Sequence, residues 1–224
     1  MATILHIDTA TTVGSVCLSK DGQVLQLLEN PEQREQAASI TLFVQQVLKG
    51  QGMQGQELDA IAVSAGPGSY TGLRIGLATA KGLCYTWQKP LIGVSTLQLM
   101  AQGALLQQQD AEALYCPMID ARRMEVFTAI YNARLETIVP GEALILSPDN
   151  FQEWLATHRI YFFGDGSTKW EALMEKSPQA AFLPYQISAA HMVPLAEQIY
   201  AGGRFEDVAY FSPHYLKAFY HPLK

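Results

Sequence analysis

The sequence predicts a mixed α/β protein built in two halves, and three observations lead there. Three strand-like runs follow one another at the N-terminus. Apolar strand-length runs then alternate with amphipathic helices, and a second strand-rich set begins near residue 113.

The first run is "TILHID" (3–8), followed by "VGSVCLS" (13–19) with partial alternation. Across the turn signal Asp21-Gly22 lies "QVLQLLE" (23–29). Ile40, Phe43, Val44, Val47 and Leu48 recur at three and four residues, an apolar stripe on a helix that Gly50 or Gly52 ends. "LDAIAVSAG" (58–66) is apolar almost throughout, as expected of a strand covered on both faces. Leu73, Leu77, Ala80, Leu83 and Cys84 mark the next helix, "PLIGVS" (90–95) another buried strand, and Leu97 to Leu106 a further helix.

In the second half, two strand-like runs flank a hairpin at Ala121-Arg122-Arg123. "RIYFFGDGS" (159–167) reads as a strand ending in a Gly-Asp-Gly turn, with a helix expected over Trp170–Lys176. "ISAAHMVPLAEQIYAGG" predicts a helix ending at Gly202-Gly203, in which Pro194 either makes a kink or lies in the first turn. The aromatic tail "VAYFSPHYLKAFYHPLK" is expected to pack down, against the first half. With the halves placed at 1–103 and 104–224 and no Pro- or Ser-rich linker between them, they are expected to share an interface.

Composition sets limits on function. Apolar residues make up 49% and charged residues 16%, with a formal net charge of -6 and no run of Lys or Arg, which argues against direct high-affinity binding of nucleic acid. Cys17, Cys84 and Cys116 are too few and too scattered for a disulfide framework or a thiolate metal site. The start "MATILHIDTA" lacks the pattern of a signal peptide, and no apolar run reaches membrane-spanning length. A cytoplasmic protein without a membrane partner is the expectation.

The stretch "SAGPGSYTGLRIG" (64–76) joins a buried strand to a helix N-terminus, where free amides and the helix dipole can hold a phosphate. It has neither the GxxxxGK[ST] nor the GxGxxG spacing, and Lys81 lies too far along the helix to reach a phosphate. The competing reading is a tight turn shaped by Gly66 and Gly68, with Ser69 or Thr71 capping the helix. Gly72, Gly76, Ala80 and Cys84 then form a small-residue face that lets another backbone approach closely.

Asp8, followed by Thr9, Thr11 and Thr12, has two readings: a carboxylate for a hydrated metal and phosphate, or an organiser of its own turn. Ala10 stands where a phosphate-wrapping turn favours glycine. Asp120 and Asp165 are similar strand-end aspartates. The five histidines, His6, His158, His191, His214 and His221, show no ligand spacing, so no metal and no catalytic residue is assigned. Ser69 is not in a GxSxG elbow.

"ILHIDTATTVGSVCLSKDG", "AIAVSAGPGSYTGLRIGLATAKGLCYTWQKPLIGVSTL", "IDARRMEVFTAIY" and "SPHYLK" together resemble the bacterial TsaB (YeaZ) family, most densely over residues 3 to 131. The resemblance implies the actin-like ATPase fold of sugar kinases and heat-shock-70 proteins, with two similarly built halves. It implies an accessory role in adding threonylcarbamoyl to adenosine-37 of tRNAs that read codons beginning with adenine. The implied partners are a catalytic TsaD homologue, a TsaE homologue joining the pair, and a second copy of the chain when alone, with tRNA reached only through the complex. No cofactor is expected in the isolated protein, and a nucleotide (ADP or ATP) at the TsaD interface stays open.

Relatives with catalytic metal use a histidine pair, whereas this chain has no histidine between His6 and His158, and Gln36 replaces a histidine common in the accessory family. The family's interface elements correspond to the helices at about 36–49 and 72–85. The residues expected there are Ile40, Phe43, Val44 and Val47 on the first, and Gly72, Leu73, Gly76, Leu77 and Ala80 on the second, and Gly76→Leu is expected to abolish partner binding in a folded monomer. Asp8, Gly66, Gly68, Ser69, Thr71 and Arg74 are the phosphate or interface candidates, Arg74 reaching either an acidic group or lying over apolar surface. The competing functions are a nucleotide-dependent phosphotransferase working through Asp8 and a metallopeptidase-like hydrolase.

Overall fold

Two five-stranded sheets are built to one plan. Residues 2–30 and 36–217 are described in this computed structural model. In the first sheet β1 (Thr3–Asp8) is central, antiparallel to β2 (Gly14–Lys20), which is antiparallel to the edge strand β3 (Gln23–Asn30). On its other side β1 runs parallel to β4 (Ala60–Gly66), and β4 parallel to β5 (Leu91–Ser95). The second sheet repeats this with β6 (Leu114–Asp120) in the centre, β7 (Glu125–Tyr131) and β8 (Thr137–Ile145) antiparallel on one side, and β9 (Ile160–Phe163) and β10 (Ala180–Leu183) parallel on the other.

The connections repeat as well. α1 (Gln36–Gly50) joins β3 to β4 and α2 (Tyr70–Trp87) joins β4 to β5, while α4 (Gln152–Leu155) and α5 (Ser167–Glu171) fill the same places in the second half. α3 (Thr96–Gln108) follows β5, and α6 (Val193–Ala201) follows β10.

The cores explain the order. Ile40, Val44 and Val47 of α1 and Leu77, Ala80 and Cys84 of α2 cover one face of the first sheet, over Leu5, Ile7, Ile61 and Val63. The other face, with Ile4, Ala62 and Val94, packs on Leu97, Met100 and Ala104 of α3 and on Met192 and Leu195 near α6. That same cluster contains Tyr115, Tyr131 and Phe163 of the second sheet, so the halves meet across one shared core. Residue 103 lies inside α3, within that shared layer.

Some elements differ from expectation. The helix expected over 170–176 begins earlier and ends sooner, at Ser167–Glu171. The long helix expected before Gly202 is split into a 3-10 turn, Ala189–Met192, and α6, with Pro194 in the first turn of α6, where its missing N–H is not needed. β8, β10 and α4 had no counterpart in the sequence reading. β8 is a largely exposed edge strand carrying Pro140 and Gly141, so it lacks an apolar alternation. Among the described residues no helix is long and apolar enough to cross a membrane.

After α6 the chain returns to the first half. Glu206 bridges to Leu91, the His214 amide donates to the Ala65 carbonyl at 2.7 Å, and Lys217 forms an ion pair with Glu125 of β7. Lys81 of α2 holds this strap through Nζ, which donates to the Ala209 carbonyl (2.9 Å) and the Phe211 carbonyl (3.1 Å). Lys81→Met keeps the stem and removes both bonds, which is expected to cost about 1–2 kcal/mol locally and speed amide exchange over 206–217 roughly tenfold. Exchange at the parental rate would show that backbone pairing and aromatic packing hold the strap unaided.

Candidate functional site

β1 and β4 are parallel neighbours, so the turn after Asp8 and the loop after Gly66 emerge at the same end of the sheet, where open α/β sheets bind ligands. The two segments grip each other. The Ser69 amide donates to the Ala10 carbonyl at 2.7 Å, and the Thr9 hydroxyl donates to the Gly72 carbonyl at 2.7 Å. A Cβ on Gly68 would overlap the Ala10 carbonyl oxygen, one on Gly72 the Thr9 carbonyl oxygen, and one on Gly76 the Thr9 hydroxyl. Ser69 caps α2, its hydroxyl accepting from the Gly72 amide at 3.3 Å, and Gly66 has φ 109°, a conformation for glycine. Two amides available to a phosphate are thus already engaged within the chain.

This geometry corrects the interface residues. Ile40, Val44, Val47, Gly72, Leu73, Gly76, Leu77 and Ala80 are all buried in the chain's own fold and Phe43 is half-buried. The small-residue face serves the approach of α2 to the first turn, not a crossing with a partner helix, and Gly76→Leu would damage the monomer itself. The outward face of the same two helices carries Leu42, 54% exposed, and Tyr85, 77% exposed, together with exposed Ala78 and Gly82. A Cβ on Gly82 would meet open space. The side chain of Gln36 lies outside the described residues.

Thr71 is exposed. Arg74 lies over the Tyr70 ring, 4.2 Å from its centre, and its Nε donates to the Tyr215 hydroxyl at 3.3 Å. That hydrogen bond raises the guanidinium pKa. Arg74 is thus laid on aromatic surface beneath the strap.

Asp8 is fully buried. Oδ1 accepts from the Ala10 amide at 3.1 Å, while Oδ2 has no hydrogen-bond partner among the described residues. Burial pushes its pKa up to about 6, against the opposing pull of the Ser64 hydroxyl and the Ala10 and Thr9 amides. Next to this turn a cleft of about 210 Å³ runs between Thr11–Val13 and Gly164–Asp165, with Tyr185 on its wall. Burial raises the pKa of Asp165 and of Tyr185, the nearby Asp8 adding to the latter. The described lining includes a carboxylate and no Lys or Arg, so turn and cleft together fit a nucleotide phosphate poorly.

Several other titratable groups have local partners. Asp165 Oδ1 accepts from the Asp120 amide (2.9 Å), and Asp120 Oδ1 accepts from the Arg122 amide (2.6 Å) and from Lys169 Nζ (2.5 Å), which orders the 121–123 hairpin. His6 Nε2 bonds the Ser19 hydroxyl at 2.8 Å, and burial lowers its pKa to about 3. His191 Nδ1 pairs with the Tyr185 hydroxyl and His158 Nδ1 with the Thr157 hydroxyl, and the His214 ring sits edge-on to Phe211. His221 lies outside the described residues. The three cysteines are buried, their thiol pKa values pushed up to about 12. Among the described residues no three His, Cys, Asp or Glu side chains form a group that could hold a metal.

One feature escaped the sequence reading. Arg122 and Arg123 of the hairpin and Lys217 of the strap line a single cavity of about 430 Å³ beside Gly68 and Tyr70. Their separation along the chain hides this cluster from any local charge pattern.

A protein-family model described as TsaD, tRNA N6-adenosine threonylcarbamoyltransferase, matches residues 30–215. The Escherichia coli tRNA threonylcarbamoyladenosine biosynthesis protein TsaB is 36% identical over 223 residues, covering 96% of this chain and 94% of that protein. The chain belongs to the TsaB (YeaZ) family. A Pseudomonas aeruginosa crystal structure, described as similar to peptidase YEAZ, superposes with a TM-score of 0.84 at 29% identity, over 97% of this chain and 100% of that one. The polyphosphate/ATP-glucomannokinase of Arthrobacter sp. superposes with a TM-score of 0.50 at 11% identity, over 90% of this chain and 100% of that one. That likeness speaks to fold alone: the duplicated sheet plan of this TsaB-family chain is the actin-like plan expected from its sequence.

Proposed function

We propose that the chain is a non-catalytic subunit in the formation of threonylcarbamoyladenosine on tRNA, holding a TsaD homologue through the outer face of α1 and α2. The observation that carries this reading is the contrast between the two sides of α2. Its inner side and N-terminal loop are spent on the chain's own first turn, while its outer side presents Tyr85 beside Ala78 and Gly82, with Leu42 on α1. An exposed tyrosine flanked by small residues suits a close protein contact. A TsaE homologue joins the pair, a second copy covers the same face when the partner is absent, and any nucleotide sits at the shared boundary. With a net charge of -6, the chain reaches tRNA through the complex, in the cytoplasm. The engaged loop amides weigh against an independent phosphotransferase, and the local partners of the four described histidines weigh against a peptidase.

Tyr85→Ala and Gly82→Arg are each expected to weaken co-purification with a TsaD homologue at least tenfold, with an unchanged melting curve. In a reconstituted mixture of TsaD and TsaE homologues, threonylcarbamoyl-adenylate and tRNA, both should suppress modification. Full retention of the complex by both variants would move the contact elsewhere. Modification at full rate without the chain would overturn the role itself.

A further inference from the structure

Charge is shared unevenly between the helix pair α1 and α2 and the rest of the chain. The two helices hold Lys49, Arg74 and Lys81 and no Asp or Glu, although carboxylates outnumber cations 21 to 15 in the whole sequence. The described partners of these cations are neutral. Arg74 lies over the Tyr70 ring and donates to the Tyr215 hydroxyl, and Lys81 donates to two backbone carbonyls. Lys49 is exposed and forms no ion pair among the described residues. The positive charge of the pair thus meets no carboxylate among the described residues.

The strap widens this face. Lys81 Nζ reaches the carbonyls on both sides of Tyr210, so the turn at 207–211 lies against α2 next to Gly82, one helical turn from Tyr85. Asp207 fixes that turn. Its Oδ1 accepts from the Ala209 and Tyr210 amides at 2.8 and 3.0 Å, and its carbonyl accepts from the Phe211 amide at 2.8 Å. Phe211 packs on the first core, while Tyr210 stands 87% exposed. A tyrosine held out on an ordered turn loses little backbone entropy when a partner covers it.

We propose that the docking face extends from α1 and α2 onto the strap turn, with Tyr210 as an anchor, and that the partner surface it takes is rich in carboxylates. This rests on the partnership with a TsaD homologue and adds to it the chemistry of the contact. Lys49, Arg74 and Lys81 draw an acidic surface in and set its approach, and the exposed tyrosines hold it once seated.

Association and dissociation rates of the full chain with a TsaD homologue, measured at about 50 and about 500 mM NaCl, test this. The complex is expected to weaken at least about tenfold over that range, chiefly through slower association. Lys49→Glu should slow association about threefold or more, whereas Lys176→Glu, also exposed but in the second half, should leave it unchanged. Tyr210→Ala should raise the dissociation rate at least about fivefold, with the salt dependence and the melting curve kept. A second copy would set the same cations against one another, so an equimolar amount of the homologue should displace it at low salt. Parental affinity in Tyr210→Ala, a Kd unchanged by salt, equal effects of Lys49→Glu and Lys176→Glu, or a homodimer that survives the homologue would each overturn the proposal while leaving the partnership in place. Absence of any complex at either salt concentration would overturn the partnership, and the proposal with it.

Discussion

Gly72→Ala is expected to destabilise the protein by upwards of about 3 kcal/mol, a drop of roughly 6–12 °C in Tm for a chain of this size. The added methyl would be driven into the Thr9 carbonyl oxygen, a backbone atom that cannot rotate away. Relief would require α2 to lift from β1, breaking the Thr9 hydroxyl bond to the Gly72 carbonyl and uncovering Leu73 and Leu77. Gly82→Ala, on the open side of the same helix, supplies the control. It adds helix propensity without a clash and should gain about 1 kcal/mol. Thermal melts of the two variants that coincide would show that the contact between α2 and the first turn is not rigid. Gly76 faces Thr9 too, so a bulky residue there reports on folding before it reports on any partner.

The second large effect is on pH dependence, where two buried groups pull in opposite directions. Asp8 has a folded pKa of about 6 against an ordinary 3.8, so the native state holds its proton longer than the unfolded chain. Its favourable contribution is complete below about pH 4 and is lost as pH rises through 6, amounting to about 3 kcal/mol. His6 runs the other way. With a folded pKa of about 3 against 6.5, it contributes stability above pH 6.5 that is lost on acidification, about 5 kcal/mol in full. His6 has the larger shift, so stability should fall on acidification from pH 6.5, with Asp8 softening the slope. Asp8→Asn, whose amide oxygen can still accept from Ala10, should be about 2–3 kcal/mol more stable than the parent at pH 7.5 and nearly equal to it at pH 4. Urea unfolding at both pH values measures this. An equal difference at the two would mean that Asp8 ionises freely in the folded protein.

Much of the architecture was legible because burial and period coincide. β1, β4 and β9 are short and buried throughout, and the α1 stripe from Ile40 to Val47 sits on the sheet as its spacing requires. The edge strands were harder: β8 is mostly exposed and interrupted by Pro140, so no alternation marks it. Site reading failed at one point for one reason. An apolar stripe and a row of small residues announce close packing without naming the neighbour, and for Gly72, Gly76 and Ala80 the neighbour is the chain itself. The side that faces outward, with Tyr85 and Gly82, carries no periodic signal, since exposed positions are free to vary in type. The Arg122–Lys217 cavity was illegible because the strap that closes it comes from the far end of the chain.

That strap also orders events during synthesis. β4 and β5 leave the ribosome long before residues 206–217, yet Glu206 pairs with Leu91 and His214 with Ala65. The nascent first half therefore waits with its parallel edge and the ends of two strands uncovered until residues 206–217 have been made. A product that stops before Glu206 would carry both sheets but an open β5 border, the kind of edge to which chaperones and proteases respond. A segment made well after β4 and β5 thus serves as the seal on their edge.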